Sequence, residues 1–238
     1  MHNYFITQAR DWRSSISKRA QLVNRLLERL GSSLRLIDPL GDGRMSNVEQ
    51  RINLFHLCSQ VLAYGVPGDM VELGVSRGQT SVIFAKVKET YAPERRLHLF
   101  DAWPNPGTLE ALRMNYLEAG VESPVLHKGV FEQTIPSELP DQICFASIDL
   151  GPGMAPDLKT NVQFCLEHIY PRLPEGGICV VQSYCDPRVH PNLAPYHRPQ
   201  VKAATDEFLR DKTEKMSVMY AGGFNIYAHA FFRKGDPH

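Results

Sequence analysis

Neither sign of charge dominates this sequence of 238 residues, in which 26 lysines and arginines balance 26 aspartates and glutamates. A protein that binds the phosphate backbone of a nucleic acid needs a basic excess, so we expect no nucleic-acid partner. No apolar run approaches the roughly 18 residues of a membrane-spanning helix, and no apolar stretch follows a basic region near residue 1. We therefore expect neither a membrane span nor a signal peptide.

Cysteine is scarce and shows no disulfide or zinc pattern. The five cysteines, an odd number, include no C-x-x-C pair, and three of them lie within apolar runs. This distribution is typical of reduced thiols buried in the core of a cytoplasmic protein, and we predict that location. The five are Cys58, Cys144, Cys165, Cys179 and Cys185.

A predicted strand, a glycine turn and a helix follow one another at residues 70–85, and the turn lacks the third glycine of a dinucleotide-binding motif. Residues Met70 to Leu73 predict a strand, Gly74 and Gly78 follow, and Thr80 opens a helix. Such a helix N-terminus offers backbone N–H groups to an anionic or nucleotide-like ligand. A dinucleotide fingerprint would read G-x-G-x-x-G, whereas this turn reads E-x-G-x-x-x-G. An NAD-linked oxidoreductase is therefore the weaker interpretation.

An acidic residue ends the next predicted strand, Arg96 to Asp101, 23 residues after Gly78. A carboxylate at the tip of the second strand is where the hydroxyl groups of a ribose would bind. A purely structural strand–helix turn also uses glycine, but the combination with Asp101 favours a nucleoside-type ligand.

Strands alternate with helices along the rest of the chain until a final pair of strands. This order predicts an α/β fold of the Rossmann-like, doubly wound type, with a mostly parallel seven-stranded sheet and one antiparallel strand. The length suits one such domain and not two of separate function. After Asp101 we predict a helix from Thr108 to Gly120, strands at 125–127 and 143–148, a helix at 157–170, a strand at 178–181, a helix at about 201–212, and strands at 216–220 and 226–232.

Two helices are predicted before the first strand. Apolar residues recur at alternating spacings of four and three from Ser14 to Leu30, and Gly31 follows as a stop. Ser46-x-x-Glu49 is a capping box that opens a second helix at about 46–64. The apolar stripe of the first helix packs on the main domain or on a second subunit. We favour the subunit contact and expect a homodimer or higher homo-oligomer.

In a doubly wound sheet, ligands bind beyond the carboxyl ends of the strands. Asp149 follows an apolar strand at this edge, and a carboxylate there is costly to bury unless it is hydrogen-bonded, metal-bound or catalytic. The alternative is that Asp149 only caps the following loop. The residues at the predicted strand ends are Glu72, Gly74, Asp101, Lys128, Gly129, Asp149, Gln182 and Ser183.

A resemblance to a known family rests on five stretches: residues 51–54 (RINL), 64–78 (YGVPGDMVELGVSRG), 99–103 (LFDAW), 128–136 (KGVFEQTIP) and 170–177 (YPRLPEGG). Over about residues 44–210 the chain resembles the macrocin O-methyltransferase (TylF-like) family of S-adenosylmethionine-dependent methyltransferases. The resemblance implies a class I methyltransferase fold with S-adenosylmethionine as cofactor. We divide the chain into an N-terminal helical extension, residues 1–45, serving as a lid or oligomer contact, and a methyltransferase domain, residues 46–238.

The resemblance also implies roles for single residues. Glu72, Gly74 and the turn from Ser76 to Ser81 would hold the methionine end of the cofactor, and Asp101 would take the ribose hydroxyl groups. Trp103 and the segment Gly129 to Phe131 would flank the adenine. The predicted cofactor-binding residues are Glu72, Gly74, Ser76, Gly78, Thr80, Ser81, Asp101, Trp103, Gly129, Phe131 and Asp149.

The metal site of the family is where this sequence departs from it. Family members bind magnesium beside the acceptor hydroxyl with Asp-x-Asp-Leu-Tyr after the fourth strand and Asp-Asp-Tyr after the fifth. Here Asp149 keeps the first acid, Gly151 stands at the second, and Gln182 and Ser183 replace the acids of the fifth strand. One carboxylate and two neutral groups hold a hard divalent ion less well than three carboxylates. We therefore predict no metal ligands and a lost or much weakened magnesium site.

Without a metal, removal of the acceptor's proton requires a protein base or an acceptor that is already acidic. We predict Asp149 and His197 as catalytic residues, His197 lying in the segment 185–199 with a second histidine and two arginines. Those groups suit a base and an anionic substrate, and the alternative is a proline-rich surface loop with solvated charges. The other histidines, among them residues 98, 127 and 229, are interpreted as structural.

The predicted function is a cytoplasmic S-adenosylmethionine-dependent O-methyltransferase that acts on a small natural-product or sugar-like acceptor. The alternative from another class is a protein that binds the cofactor without transferring its methyl group. Specificity for the acceptor would reside in the loops at 31–45, 150–156 and 185–199.

Overall fold

The computed structural model describes residues 18–32, 34, 48–151, 157–186, 198–221 and 227–235. The strands are β1 (Asp69–Leu73), β2 (Leu97–Asp101), β3 (Val125–Lys128), β4 (Ile143–Ile148), β5 (Ile178–Gln182), β6 (Ser217–Ala221) and β7 (Tyr227–Arg233). They form one seven-stranded sheet in the order β3-β2-β1-β4-β5-β7-β6. Strands β1 to β5 pair in parallel, and β7 runs antiparallel to both β5 and β6. The predicted mostly parallel sheet with one antiparallel strand is confirmed.

The described residues form seven α-helices, and six of these pack on the two faces of the sheet. The seven are α1 (Lys18–Arg29), α2 (Val48–Ala63), α3 (Gln79–Tyr91), α4 (Pro106–Ala119), α5 (Phe131–Glu138), α6 (Leu158–Ile169) and α7 (Pro199–Leu209), and a 3-10 turn, Tyr170–Arg172, follows α6. Helices α2, α3 and α4 bury their apolar residues against one face of the sheet. Helices α5, α6 and α7 cover the opposite face. The predicted doubly wound arrangement is therefore correct, because each face has its own apolar core.

The ends of several helices differ from the prediction. Helix α4 begins at Pro106 and not at Thr108, because the side chain of Asn105 caps it by accepting a hydrogen bond from Gly107 N. Helix α7 begins at Pro199, before the predicted start at 201. Helix α5 was not predicted at all. It has eight residues and contains Pro136, so it shows little of the apolar periodicity that identifies longer helices.

Helix α1 ends as predicted. Gly31, with φ 68°, donates to Glu28 O at 3.0 Å, and Ser32 N donates to Leu27 O at 2.9 Å. This is the hydrogen-bond pattern of a glycine-terminated helix. Residues 14–17 of the predicted helix and the start of the capping box at Ser46 lie outside the described residues.

A chain of polar contacts crosses β1, β2 and β3 and reaches α5. Asp69 Oδ2 lies 3.3 Å from His98 Nε2, His98 Nδ1 lies 3.0 Å from His127 Nε2, and His127 Nδ1 lies 2.5 Å from Glu138 Oε2. The ring of His127 also stacks on Phe100, with the ring centroids 4.1 Å apart. Both histidines are buried, and burial lowers the pKa of His98 while Asp69 opposes the shift. The prediction that these two histidines are structural fits this arrangement.

The remaining expectations concern the membrane and the thiols. Among the described residues no helix is long and apolar enough to cross a membrane. All five cysteines are buried and free. Burial raises the pKa of Cys165 and of Cys179, so both thiols stay protonated at neutral pH.

The loop between α2 and β1 offers a matched pair of glycine substitutions. Gly65 and Gly68 both have positive φ, 67° and 113°, but a Cβ atom on Gly65 meets no described atom within 4 Å, whereas one on Gly68 would lie 2.7 Å from the Gln142 carbonyl group. We expect Gly65→Ala to lower the free energy of unfolding by about 1 kcal/mol through backbone strain alone. Gly68→Ala should lower it by roughly 2 to 4 kcal/mol, because the clash with β4 adds to the strain.

Urea unfolding of the two variants measures both values. Equal losses for Gly65→Ala and Gly68→Ala would contradict the close approach of this loop to the start of β4.

Candidate functional site

The turn between β1 and α3 has three residues with positive φ, Gly74 at 82°, Ser76 at 53° and Gly78 at 73°. A Cβ atom on Gly74 would lie 2.1 Å from the backbone oxygen of Asp149, and one on Gly78 would lie 2.9 Å from Cγ of Leu112. Both positions therefore exclude a side chain by close approach as well as by φ. The turn passes directly beside the end of β4.

Asp101 holds this turn in place from the end of β2. Its Oδ2 accepts hydrogen bonds from Val75 N at 2.9 Å and Ser76 N at 2.8 Å, and its Oδ1 accepts one from Trp103 N at 2.9 Å. A carboxylate has about four acceptor positions, so capacity remains for a ligand hydroxyl group. The sequence predicts Asp101 as a ribose ligand, and this role stays a prediction; the bonds of Asp101 to the backbone of the turn were missed.

The carbonyl groups of the turn from Ser76 to Gly78 are each occupied by a side-chain donor. Trp103 Nε1 donates to Ser76 O at 2.8 Å. Asn115 Nδ2 donates to Arg77 O at 2.7 Å, and Ser81 Oγ donates to Gly78 O at 2.9 Å. Asn115 was missed by sequence reasoning. Its one signal is an asparagine, a poor helix former, in the interior of α4.

Glu72 is the buried acid of the site. Its side chain is 1% exposed, and Oε2 finds no hydrogen-bond partner among the residues that the structure describes. Burial, and then the charges of Asp149 and Asp101, raise the pKa of Glu72 well above its usual value. A buried carboxyl group with a free oxygen fits a cationic or hydrogen-bond-donating ligand.

Asp149 follows β4 and faces the same edge of the sheet. Its backbone N donates to Leu73 O at 2.9 Å, which ties it to the end of β1. The residue is only partly exposed. Burial raises the pKa of its carboxyl group to about 6, and the charge of Arg198 opposes this shift. Arg198 itself donates to Leu150 O at 2.5 Å.

Gln182, at the end of β5, is part of the protein interior. It is 4% exposed. Its Oε1 accepts from Gln50 Nε2 of α2 at 2.8 Å, and its Nε2 donates to Ser147 Oγ of β4 at 3.4 Å. The neighbouring Ser183 takes a positive φ of 63°. In the described part of the chain, no three histidine, cysteine or acidic side chains are grouped so that they could hold a metal ion.

The predicted adenine-flanking segment begins where β3 ends. Gly129 N donates to Asp101 O at 3.1 Å, so the segment lies beside Asp101. The side chains of Trp103 and Phe131 are 1% and 5% exposed and pack in the two cores. Val130, at 47% exposed, is the open side chain of this segment.

The structure thus places nine of the predicted site residues at one edge of the sheet, buries Trp103 and Phe131 in the two cores, and leaves one residue outside the described part of the chain. Thr80 and Ser81 lie in the first turn of α3 and are buried. His197 falls outside the described residues. The residues at the carboxyl edge of β1 to β4 are Glu72, Gly74, Ser76, Gly78, Thr80, Ser81, Asp101, Gly129 and Asp149.

Residues 71–184 match a family model described as "Methyltransferase domain". One curated relative is an 8-demethyl-8-(2,3-dimethoxy-alpha-L-rhamnosyl)-tetracenomycin-C 4'-O-methyltransferase of Streptomyces olivaceus, 26% identical over 177 residues, which are 61% of this chain and 66% of the relative. The chain therefore matches just under two thirds of that relative's length.

Solved structures with the same fold include two O-methyltransferases. The O-methyltransferase NovP is 19% identical with a TM-score of 0.62, over 79% of this chain and 80% of that one. TomG of Streptomyces achromogenes, an O-methyltransferase involved in tomaymycin synthesis and solved in complex with SAM, is 16% identical with a TM-score of 0.58, over 93% and 91%. Residues 71–184 are therefore similar to a methyltransferase domain, and the Rossmann-like sheet has the fold of solved O-methyltransferases.

Proposed function

We propose that this chain is an S-adenosylmethionine-dependent methyltransferase that methylates an oxygen atom of a small acceptor. The observation that carries the proposal is the buried Glu72 carboxyl group, whose Oε2 has no partner among the described residues, beside a glycine turn that opens a helix. S-adenosylmethionine brings an ammonium group that Glu72 would bind. The match of residues 71–184 to a methyltransferase domain supports the same activity.

The residues of the turn divide the binding of the cofactor between them. The cofactor supplies an activated methyl group on a sulfonium centre. Glu72 would accept hydrogen bonds from its ammonium group. The backbone N–H groups of Val75 and Ser76 are bound to Asp101, so the first turn of α3, Gln79 to Ser81, would face the carboxylate of the cofactor with its N–H groups. Asp101 would use its remaining acceptor position for a ribose hydroxyl group. The segment Gly129 to Phe131 would border the adenine through the exposed Val130, with Trp103 buried behind it.

The acceptor is proposed to be a natural product with a free sugar hydroxyl group. The Streptomyces olivaceus relative is named for 4'-O-methylation of a rhamnosyl-tetracenomycin, and the sequence resembles the TylF-like family. No described cluster of acids is available to hold magnesium beside that hydroxyl group, and the side chain of Gln182 is already bonded to Gln50 and Ser147. Proton removal therefore falls to the chain's own residues.

Asp149 is the proposed base. With its pKa raised to about 6 by burial, its carboxyl group is largely ionised at neutral pH and is more basic than an ordinary aspartate, which suits acceptance of the hydroxyl proton. His197 is the second candidate, because it belongs to the histidine- and arginine-containing segment that precedes α7. Asp149 lies next to the cofactor turn, and this position favours it.

Residues 1–45 are proposed as an extension that contacts another subunit or covers the site, and residues 46–238 as the methyltransferase domain of a cytoplasmic homo-oligomer. Support comes from α1, whose apolar side chains Leu22, Leu26 and Leu30 are 66%, 56% and 72% exposed. An apolar stripe left open on one helix is typical of a face that is covered in an assembly.

Asp101→Asn tests the cofactor turn. An amide has one acceptor oxygen, so its NH2 group would face a backbone N–H of Val75, Ser76 or Trp103. We expect the affinity for S-adenosylmethionine to fall roughly 10- to 100-fold by calorimetric titration. Asp211→Asn, at an exposed position after α7, is the matched control. Unchanged affinity in Asp101→Asn would refute the role of this carboxylate.

The pH profile of kcat/KM tests Asp149. A base works in its deprotonated form, so activity should fall about tenfold per pH unit below a pKa of about 6 and level off above pH 7. A sugar hydroxyl group does not ionise in this range, so the acidic limb reports the enzyme. Asp149→Asn should lower the rate by roughly 100-fold or more and remove the limb. A variant as active as the wild type would rule out Asp149.

Magnesium should make no difference to this enzyme. We expect the same dissociation constant for S-adenosylmethionine, and the same methylation rate, with magnesium and with chelator, because Gln182 and Ser183 are neutral. Activity that requires magnesium would show that a metal-assisted mechanism is retained. Tight cofactor binding without methyl transfer to any hydroxyl-bearing acceptor would favour a binding protein over an enzyme.

A further inference from the structure

Gln79 is a buried amide with no partner. It is the first residue of α3 and is 9% exposed. Neither Nε2 nor Oε1 has a hydrogen-bond partner among the described residues. Leaving both polar atoms of a buried amide without partners is costly, and such side chains in native proteins call for a ligand or a functional reason.

The carbonyl groups nearest in sequence to Gln79 are already bound. The carbonyls from Ser76 to Gly78 accept hydrogen bonds from Trp103, Asn115 and Ser81. The NH2 group of Gln79 makes no hydrogen bond to these carbonyl groups, because other side chains already donate to them. What Gln79 lacks is a group that both accepts from its NH2 and donates to its carbonyl oxygen.

A second unpartnered atom lies at the other end of the same turn. Glu72 Oε2 is buried at the end of β1, and Gly74 and Gly78 connect this strand to α3 with positive φ. The glycine turn therefore has an unpartnered acceptor, the Glu72 carboxyl oxygen, on one side and an unpartnered amide, which both donates and accepts, on the other. Glu72 Oε2 and Gln79 Oε1 can accept hydrogen bonds from a cationic group, and the NH2 group of Gln79 can donate to an anionic one.

An α-amino-acid zwitterion has that chemistry. Its ammonium group donates and its carboxylate accepts, two bonds apart, so one side-chain amide can engage both. We propose that Gln79 binds the α-amino-acid end of S-adenosylmethionine, with Nε2 donating to the carboxylate and Oε1 accepting from the ammonium group, while Glu72 neutralises the ammonium charge. This inference rests on the proposed function and adds Gln79 to the residues that hold the cofactor.

The role of Gln79 is distinct from that of the side chains behind the turn. Asp101, Trp103 and Asn115 bond to the turn's backbone, so their loss would disturb every part of the cofactor. Gln79 makes no such bond, so its loss should disturb only the amino-acid end. This difference separates a binding role from a structural one.

The test pairs a mutation with a truncated ligand. S-adenosylhomocysteine has the amino-acid end, whereas 5'-methylthioadenosine keeps the nucleoside and thioether but lacks it. Calorimetric titration of both ligands is performed on the wild type, on Gln79→Leu and on the control Gln200→Leu, which changes an exposed glutamine of α7. We expect Gln79→Leu to bind S-adenosylhomocysteine roughly 10- to 100-fold more weakly and 5'-methylthioadenosine unchanged.

Gln79→Glu provides a variant of nearly the same shape in case Gln79→Leu does not fold. Its carboxylate still accepts from the ammonium group but repels the ligand's carboxylate, so S-adenosylhomocysteine should again lose affinity and 5'-methylthioadenosine should not. Thermal unfolding gives an independent readout, because the stabilisation by S-adenosylhomocysteine should shrink in both variants.

The other outcomes overturn the inference. Equal loss for both ligands would make Gln79 a structural residue of the turn, and no loss for either would remove it from the site. If the wild type binds neither ligand, the proposed function itself is wrong. If the wild type binds both ligands and Gln79→Leu does so equally well, only the role of Gln79 is wrong.

Discussion

Asp101 binds three backbone N–H groups at once, and the shape of the glycine turn depends on these bonds. Ser76 and Trp103 hold positive φ without being glycine, a conformation that costs roughly 1 kcal/mol or more per residue. Hydrogen bonds to a carboxylate are stronger than neutral ones and offset that strain. The turn is therefore organised before any ligand arrives, so binding does not have to order it.

The sheet and its ligand edge could be predicted because their signals are local. Alternating strands and helices, apolar strand cores and acids at strand tips are all legible within short windows of sequence. The bonds that make the turn rigid are not, because Asp101 meets Val75 across 26 residues and Asn115 meets Arg77 across 38. Helix α5 was missed for a different reason, since eight residues with Pro136 inside give too short a pattern.

Gln182 and Ser183, at the end of β5, are neutral, and this affects the distribution of negative charge along the ligand edge of the sheet. Gln182 joins α2 to the sheet through Gln50 and so has become a packing residue. Three acids remain at this edge: Glu72 lies near the end of β1, Asp101 ends β2, and Asp149 follows β4. The negative potential of the site is therefore concentrated on the half that would hold a cationic cofactor. At the end of β5 the described residues Gln182 and Ser183 are neutral, and neutral groups hold a divalent ion less well than carboxylates.

The contacts from Asp69 through His98 and His127 to Glu138 span three strands and one helix. Helix α5 cannot detach alone without taking Glu138 from the buried imidazole of His127, which is unfavourable in the interior. The edge strand β3 and α5 should therefore open as one cooperative unit, and their amide hydrogens should exchange with solvent at similar rates. An edge strand would otherwise fray independently. The segment between β3 and α5, which would border the adenine, is therefore tied to the centre of the sheet through these histidines.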